Sequence, residues 1–391
     1  MFTKRNKDSG RKSRKSRAKR QYQSYYLFFP AACLLAALAV PMYVMAVLTG
    51  SGWPPGLLGA GHGHELVFGF GLALVAGYTL GPQPMSELSF IFAIWLAARV
   101  TWIFFPEWPS AEILSPVFTL YLARPVVPRF YAAKKWRNRL TGPIIMVLCL
   151  AAVMWGLADP LRVLELPAPS DRSLLHLSVL GLLLLMTFMG GRIIAPAVAG
   201  TLEKRGIPLD ARVQPRIEGA LLITLSLTMI TISFSLLTGF AALLLLVAGG
   251  LIVARTLRWK LWLCTDRPDL VVFGIGYLWL AAGSVVTGLA LLTDSSPAAS
   301  MHLITVGAMG TLSAGVMLRL YWQRLRKTPP PANIVWAVAI LIAGATLTRL
   351  GAGSQPFDSP ILLSTSATLW SITFLALTVH LLWMRARGKT Q

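Results

Sequence analysis

Long apolar stretches follow one another along most of the chain, separated by short polar or Gly- and Pro-containing segments. Each is about 20 residues long, the length that an α-helix needs to cross the roughly 30 Å hydrocarbon core of a bilayer. None alternates like a membrane β-strand, so helices are expected throughout. The pattern predicts about twelve transmembrane helices, at residues 25–49, 62–81, 88–105, 111–131, 140–158, 172–195, 217–236, 239–256, 270–292, 299–320, 332–350 and 360–384. We therefore expect an all-α, polytopic integral membrane bundle.

The composition agrees with a membrane protein and excludes a soluble multidomain enzyme. Apolar residues make up 55% of the 391 residues and charged residues only 13%, against roughly a quarter charged in soluble domains. The three cysteines, Cys33, Cys149 and Cys264, lie far apart and outside any CxxC motif. This spacing argues against a disulfide framework, a thiolate zinc site and a covalent c-type haem. We expect no cleavable signal, because a basic tail leads directly into a full-length apolar span.

The positive charge is distributed unevenly between the two sides of the predicted bundle. The net charge is +21, and all but four of the 36 Lys and Arg fall in the two terminal segments or in loops that alternating spans bring to one side. Because Lys and Arg are enriched in cytoplasmic loops, both termini are predicted to be cytoplasmic. The predicted organisation is a basic tail at 1–24, a transmembrane domain at 25–384 and a second basic tail at 385–391. The expected partner of this charge is the lipid bilayer, not nucleic acid.

Four of the five histidines are predicted to lie at one depth. His62 and His64 open the second span, His176 opens the sixth and His302 opens the tenth, all at the outer side, while His380 lies near the inner end of the last span. Imidazole is a common ligand of haem iron and copper, and side chains on facing helices can build such a site. The pattern favours a metal or haem site near the outer surface; the alternative is that each ring sits at headgroup level.

The segment from Gly61 to Glu65 reads Gly-His-Gly-His-Glu. Glu65 follows His62 by three positions, so on a helix it can reach that ring and fix its tautomer. Small residues recur at every fourth position of the second and tenth spans, at Gly69, Ala73 and Gly77 and at Gly307, Thr311 and Gly315. Such columns allow close helix packing or leave room for a flat cofactor.

Two arginines on the predicted outer side are candidate anion ligands. Arg99 lies in the outer half of the third span, and Arg349 ends the eleventh span outside. Arginine binds carboxylates such as haem propionates in bidentate fashion, so both are predicted to bind propionates or another anion. The structural alternative is an ion pair with a nearby carboxylate, namely Glu107, Glu112, Asp171 or Asp358.

Three main segments and one shorter segment resemble motifs of the NnrS family of membrane proteins. GHGHELVFGFGLALVAGYTL (61–80) resembles the WHAHEMLFGF-type segment that opens the family's second helix. MTFMGGRIIAP (186–196) is similar to its GGRVIP segment, and HLITVGAMGTLSAGVMLR (302–319) to its tenth-helix segment. WLAARV (95–100) is similar to the segment of the family's third helix that holds an arginine. The motifs occur in order over nearly the whole chain.

The resemblance implies a protein of the bacterial inner membrane that contains haem b and copper and takes part in nitric oxide handling or protection against nitrosative stress. The motif positions carried over are His62, His64, Glu65 and His302, together with the arginines Arg192 and Arg319. His176 rests on the depth argument alone. The chain departs from the family pattern at Gly61, where the family has Trp, at Gly274, where it often has His, and after Arg319, where LYWQRLRK has no His.

Two other functions compete with this interpretation. Twelve spans with both termini inside are also common in secondary transporters, which place substrate near the midplane. The alternative is therefore a secondary transporter of a small solute with no bound metal. A respiratory core of the haem–copper type needs more histidines at one depth than this chain has. A hydrolase of soluble type is excluded, because the sequence contains no Ser-His-Asp set, HExxH motif, P-loop or catalytic carboxylate pair.

Overall fold

The computed structural model describes residues 21–355 and 357–388. The predicted basic tails at 1–24 and 385–391 therefore lie partly outside the described residues. Almost all of the described chain is helical, and the predicted class, a polytopic helical membrane bundle, is confirmed.

The described residues form twelve long helical segments. Their bounds are α1 Tyr25–Thr49, α2 Gly61–His64 continued by Glu65–Gly71 and Leu72–Thr79, α3 Met85–Phe104, α4 Pro109–Tyr131, α5 Thr141–Val163, α6 Asp171–Glu203, α7 Pro215–Thr231, α8 Thr238–Arg258, α9 Pro268–Leu292, α10 Ala298–His302 continued by Leu303–Ala308 and Met309–Leu325, α11 Ala332–Gly351 and α12 Pro360–Arg387. Short helical turns lie at Pro55–Leu57, Trp136–Arg139, Asp210–Arg212, Ser235–Leu237 and Leu261–Cys264.

Nine of these helices among the described residues are long and apolar enough to cross a bilayer: α1, α3, α5, α6 and α8 to α12. The other three segments are less suited by length or composition. α2 begins with two histidines and a glutamate, α4 has three prolines in its interior, and α7 has 17 residues. The predicted α6 also ends too early at residue 195, since the helix continues past Pro196 to Glu203.

Helices that follow one another in sequence pack side by side, and α12 closes against α1. α6 is the most buried of the nine apolar helices and touches α2, α5, α7, α9 and α10. The three helices that carry the predicted outer histidines, α2, α6 and α10, therefore meet through α6.

A two-stranded antiparallel sheet ties the entrance of α1 to the end of α2. β1 (Gln21–Gln23) pairs with β2 (Pro82–Pro84), with Tyr22 opposite Gln83. The last residues of the segment predicted as a basic tail thus belong to the folded bundle, where Ser24 Oγ donates to Gly77 O at 2.9 Å.

Candidate functional site

His62 and His302 come together at the start of α2 and α10. Both rings are half-buried, and the two lie within electrostatic range of each other and of Arg349. The Tyr43 ring stacks on His62 with centroids 4.0 Å apart, and its hydroxyl accepts from Gln355 Nε2 at 3.3 Å. We call His62, His302, Tyr43 and Arg349 the outer cluster.

Backbone carbonyls fix the tautomers of both histidines. His62 Nδ1 lies 2.9 Å from Gly59 O, and His302 Nδ1 lies 2.6 Å from Ala298 O. A carbonyl oxygen only accepts hydrogen bonds, so Nδ1 carries the proton and Nε2 carries the lone pair. A neutral imidazole with Nδ1–H bonded to a carbonyl is the state in which histidine ligates a metal through Nε2.

Arg349 is the cation of the outer cluster. Its Nη1 donates to Gly353 O at 2.8 Å, and its guanidinium lies 5.3 Å from the centroid of the Phe357 ring. No carboxylate of the described residues forms a salt bridge with it, Asp358 included. A guanidinium without a carboxylate partner beside two imidazoles makes this end of the bundle suited to an anion.

His64 belongs to a separate, fully buried network behind the outer cluster. His64 Nδ1 lies 3.0 Å from Glu65 Oε1, and the same oxygen accepts from Arg99 Nη1 at 2.8 Å. Arg99 Nη2 also donates to Ser115 Oγ on α4. His64, Glu65 and Arg99 are only 1%, 0% and 2% exposed, and Glu65 Oε2 and Arg99 Nε have no partner among the described residues. We call these four residues the outer network.

The outer network corrects two details of the sequence interpretation. Glu65 contacts its neighbour His64 and not His62, which bonds to Gly59 instead. Arg99 pairs with Glu65, which was not among the carboxylates considered for it. Its guanidinium is therefore already neutralised within the protein, unlike that of Arg349.

Aromatic rings enclose His64. Its imidazole stacks on Trp102 with centroids 3.9 Å apart, and Trp155 and Phe68 lie at 5.1 and 5.2 Å. Trp102 is held in turn by a hydrogen bond from its Nε1 to Gly56 O at 2.9 Å. His64 is thus less accessible than His62 and His302.

Both histidine motifs run directly into a π-helical segment. Glu65–Gly71 follows His64, and Leu303–Ala308 follows His302. Such wide turns inside helices occur frequently at functional sites. The three-residue step from His62 to Glu65 lies before this segment, and the two side chains do not meet because His62 bonds to Gly59 O and the Glu65 carboxylate accepts from Arg99.

His176 lies half-buried near the start of α6, and no hydrogen bond or ion pair of its ring is found in the described part of the chain. The next residue toward the N-terminus, Leu175, packs on α2, since a Cβ added at Gly63 would lie 2.8 Å from its Cδ1. His176 is therefore on the helix that adjoins the site without touching the other imidazoles. More generally, no group of three or more His, Cys, Asp or Glu side chains within residues 21–355 and 357–388 is arranged to hold a metal ion.

The columns of small residues serve helix packing. Gly69 faces the Arg99 side chain, Gly77 faces the Phe29 ring, Gly307 faces Trp279 and Gly315 faces Phe273. Protein side chains thus fill the space beside each of these glycines, and a flat cofactor is not needed to explain them.

Sequence reasoning missed a second buried network at α6 to α9. Arg255 was counted with an inner loop, but it lies at 2% exposure on α8 and donates to Glu218 Oε1 at 2.7 Å. Arg255 Nη1 also donates to Thr187 O at 3.1 Å, and the Tyr277 hydroxyl donates to the same carbonyl. We call Glu218, Arg255, Thr187 and Tyr277 the inner network.

The Gly-Gly-Arg motif at residues 190–192 is the feature of the sequence that could have indicated the inner network. A Cβ at Gly190 would collide with the Tyr277 ring, and one at Gly191 would collide with the Arg255 guanidinium. The paired glycines therefore make room for the two donors of Thr187 O. The motif arginines lie elsewhere: Arg192 Nη1 donates to Met189 Sδ at 3.5 Å, and Arg319 pairs with Asp269.

Comparison with known protein families identifies the family of this chain. The model of the family described as "NnrS protein" matches residues 22–387. The chain belongs to the NnrS family. No curated protein and no solved structure matches it. The motifs of this NnrS-family chain correspond to the outer cluster, the outer network and the glycines of the inner network.

Proposed function

We propose that this NnrS-family chain is a protein of the bacterial inner membrane that binds a metal, as haem b or copper, at the outer cluster and handles nitric oxide there. The observation that carries the proposal is the meeting of His62 and His302, from two separate motifs, with Nδ1 of both rings bonded to a carbonyl. That arrangement prepares both Nε2 atoms as ligands.

We further propose that all twelve helical segments cross the membrane and that both termini are cytoplasmic. The one-sided distribution of Lys and Arg supports this orientation. It puts the starts of α2 and α10, and with them the outer cluster, on the side away from the cytoplasm.

The donor set fits haem iron or copper. Imidazole nitrogen suits both metals, and Arg349, with no carboxylate partner in the described residues, suits a propionate or another anion. When bound, either metal would supply a centre with high affinity for nitric oxide. His64 and His176 remain predicted ligands, and we expect weaker contributions from them because His64 is enclosed by rings and His176 has no ring contact with the pair among the described residues.

The chain's own residues would orient the imidazoles and supply the positive charge that binds an anion. Gly59 O and Ala298 O hold the two imidazoles in one tautomer, and the Tyr43 ring restricts rotation of His62. Arg349 would attract an anion to the half-buried outer cluster. Arg99 would act indirectly, because it holds the Glu65 carboxylate that orients His64.

The test is to purify the full chain in detergent, record its absorption spectrum and measure its copper content. We expect a Soret band, copper, or both. His62→Ala and His302→Ala should each remove most of the bound metal, His64→Ala and His176→Ala should remove less, and Arg349→Leu should weaken haem more than copper.

His380→Ala is the matched control. His380 lies at the other end of the bundle, where its Nε2 accepts from Trp322 Nε1 at 3.3 Å, so its loss should leave metal content unchanged. A protein without Soret band or copper, or equal metal content in the His62 and His380 variants, would contradict the proposal.

A further inference from the structure

A cavity of about 130 Å³ lies at the junction of α1, α2, α5, α6, α9 and α10. Gly71, Leu74, Leu182, Met189, Met309 and Val316 contribute to its wall, and no histidine does. It is thus separate from the outer cluster, although α1, α2 and α10 contribute residues to both. Tyr78, an exposed residue at the end of α2, lines one side and marks a way in.

The wall of the cavity is almost wholly apolar, so water gains few hydrogen bonds there. Dry apolar cavities of about 150 Å³ in proteins bind benzene or xenon. Four methionines, Met186, Met189, Met309 and Met317, contribute to the wall. Their thioethers are polarisable and unbranched, and they adapt to guests of different shape.

Gly71 adds an independent observation. At Gly69 and Gly77 neighbouring side chains fill the space that a Cβ would take, at 2.8 and 2.5 Å. At Gly71 an added Cβ would meet only ordinary contacts, Leu66 O at 3.5 Å and the Leu182 methyls at 3.7 and 3.8 Å. Close packing therefore does not require glycine at this position, and its missing side chain enlarges the cavity.

We propose that this cavity is a binding site for a small, uncharged, apolar molecule of the size of xenon or a diatomic gas. Its volume suits a guest of that size, and its wall offers nothing to a charged one. Nitric oxide has the required size and polarity; naming it as the natural guest rests on the proposed function, whereas the binding of an apolar guest does not.

The experiment measures xenon binding by ¹²⁹Xe NMR on the full chain in lipid nanodiscs, prepared from metal-depleted cultures. The wild-type protein should show a saturable xenon shift. Val316→Phe should abolish it by filling the cavity, and Gly71→Ala should weaken it. The matched controls are Val253→Phe, at an exposed position of α8, and Gly250→Ala, where an added Cβ meets nothing within 4 Å; both should bind xenon like the wild type.

The outcomes separate this proposal from the function proposed above. Saturable xenon binding in metal-free protein supports the cavity whether or not the outer cluster binds metal. The cavity proposal is overturned if the xenon shift of the wild type does not saturate. It is also overturned if both Val316→Phe and Gly71→Ala show the same xenon shift as the wild type. A shift that appears only after removal of bound lipid also overturns it, since an acyl chain is then the occupant. If Val316→Phe does not fold, Gly71→Ala and Ser313→Leu, at a residue that also lines the cavity, still decide the question.

Discussion

The protein contains two buried Glu–Arg pairs of nearly the same geometry that serve different neighbours. Glu65–Arg99 in the outer network and Glu218–Arg255 in the inner network have N–O distances of 2.8 and 2.7 Å. In each, a glycine on a neighbouring helix makes room for the arginine, and the arginine Nε has no partner among the described residues. The outer carboxylate holds an imidazole, whereas the inner arginine holds a backbone carbonyl.

This difference indicates the role of each pair. Burying two charges costs several kcal/mol each, and an ion pair returns that cost only with good geometry and further hydrogen bonds. In the inner network the further bonds, to Thr187 O, join α8 and α9 to α6, which stabilises the bundle. In the outer network they end at His64, a side chain with a titratable and ligating nitrogen, so the pair serves the site.

The largest expected effect comes from removing one member of the inner pair. Glu218→Leu leaves the Arg255 charge buried without a carboxylate, which should lower stability by about 3–5 kcal/mol. The double variant Glu218→Leu/Arg255→Met removes both charges and should recover much of this loss. Thermal unfolding in detergent measures both. A double variant no more stable than the single one would show that the charge itself is unimportant.

The glycine that admits the inner arginine gives the next largest effect. Gly191→Ala puts a methyl group against the Arg255 guanidinium, and such overpacking typically costs about 1–3 kcal/mol. Gly200→Ala, on the same helix with nothing within 4 Å of the added Cβ, should instead be neutral or stabilise by up to about 1 kcal/mol. Equal unfolding temperatures for the two variants would contradict the close approach.

A smaller, specific effect separates the roles of the two pairs. Glu65→Gln keeps the size of the side chain but removes the charge that orients His64, and loss of such a partner typically lowers metal affinity about 10- to 100-fold. We place the expected loss at the lower end, near tenfold, because His64 is not in the His62–His302 pair. Glu218→Gln should not change the affinity. Competition for copper with a chelator measures the affinity of both variants. Equal affinities would show that the outer pair does not contribute to metal binding.

Local sequence pattern determined the helices well and the networks poorly. Runs of apolar residues fix the start of each helix to within about three residues, because every span must satisfy its backbone bonds internally, whereas ends such as that of α6 are less well predicted. Because His62 and His302 lie at the starts of α2 and α10, the helix positions alone also predicted that the two residues lie at the same end of the bundle. The pairing of Glu218 with Arg255 depends on helix packing across 37 positions of sequence, and no periodicity encodes it. Glu65 was assigned to the wrong histidine because its carboxylate is held by Arg99 from another helix, a contact that the spacing within α2 does not encode.

The smallest effect concerns an exposed pair that serves as a reference for the buried ones. Asp266 and Arg205 form an ion pair outside the helices α6 and α9, and the hydrogen bond from Arg205 lowers the pKa of the Asp266 carboxyl below its usual value. A lowered pKa means that the pair contributes stability above the unfolded pKa, near 3.9, and loses it as the pH falls through the folded value. Asp266→Asn should therefore lower the unfolding temperature slightly at pH 7 and not at low pH, where the wild type has lost the same contribution. Because exposed pairs are screened by solvent and salt, this change should be smaller than that of Glu218→Leu or Gly191→Ala. An effect of Asp266→Asn as large as theirs would mean that burial does not distinguish the pairs.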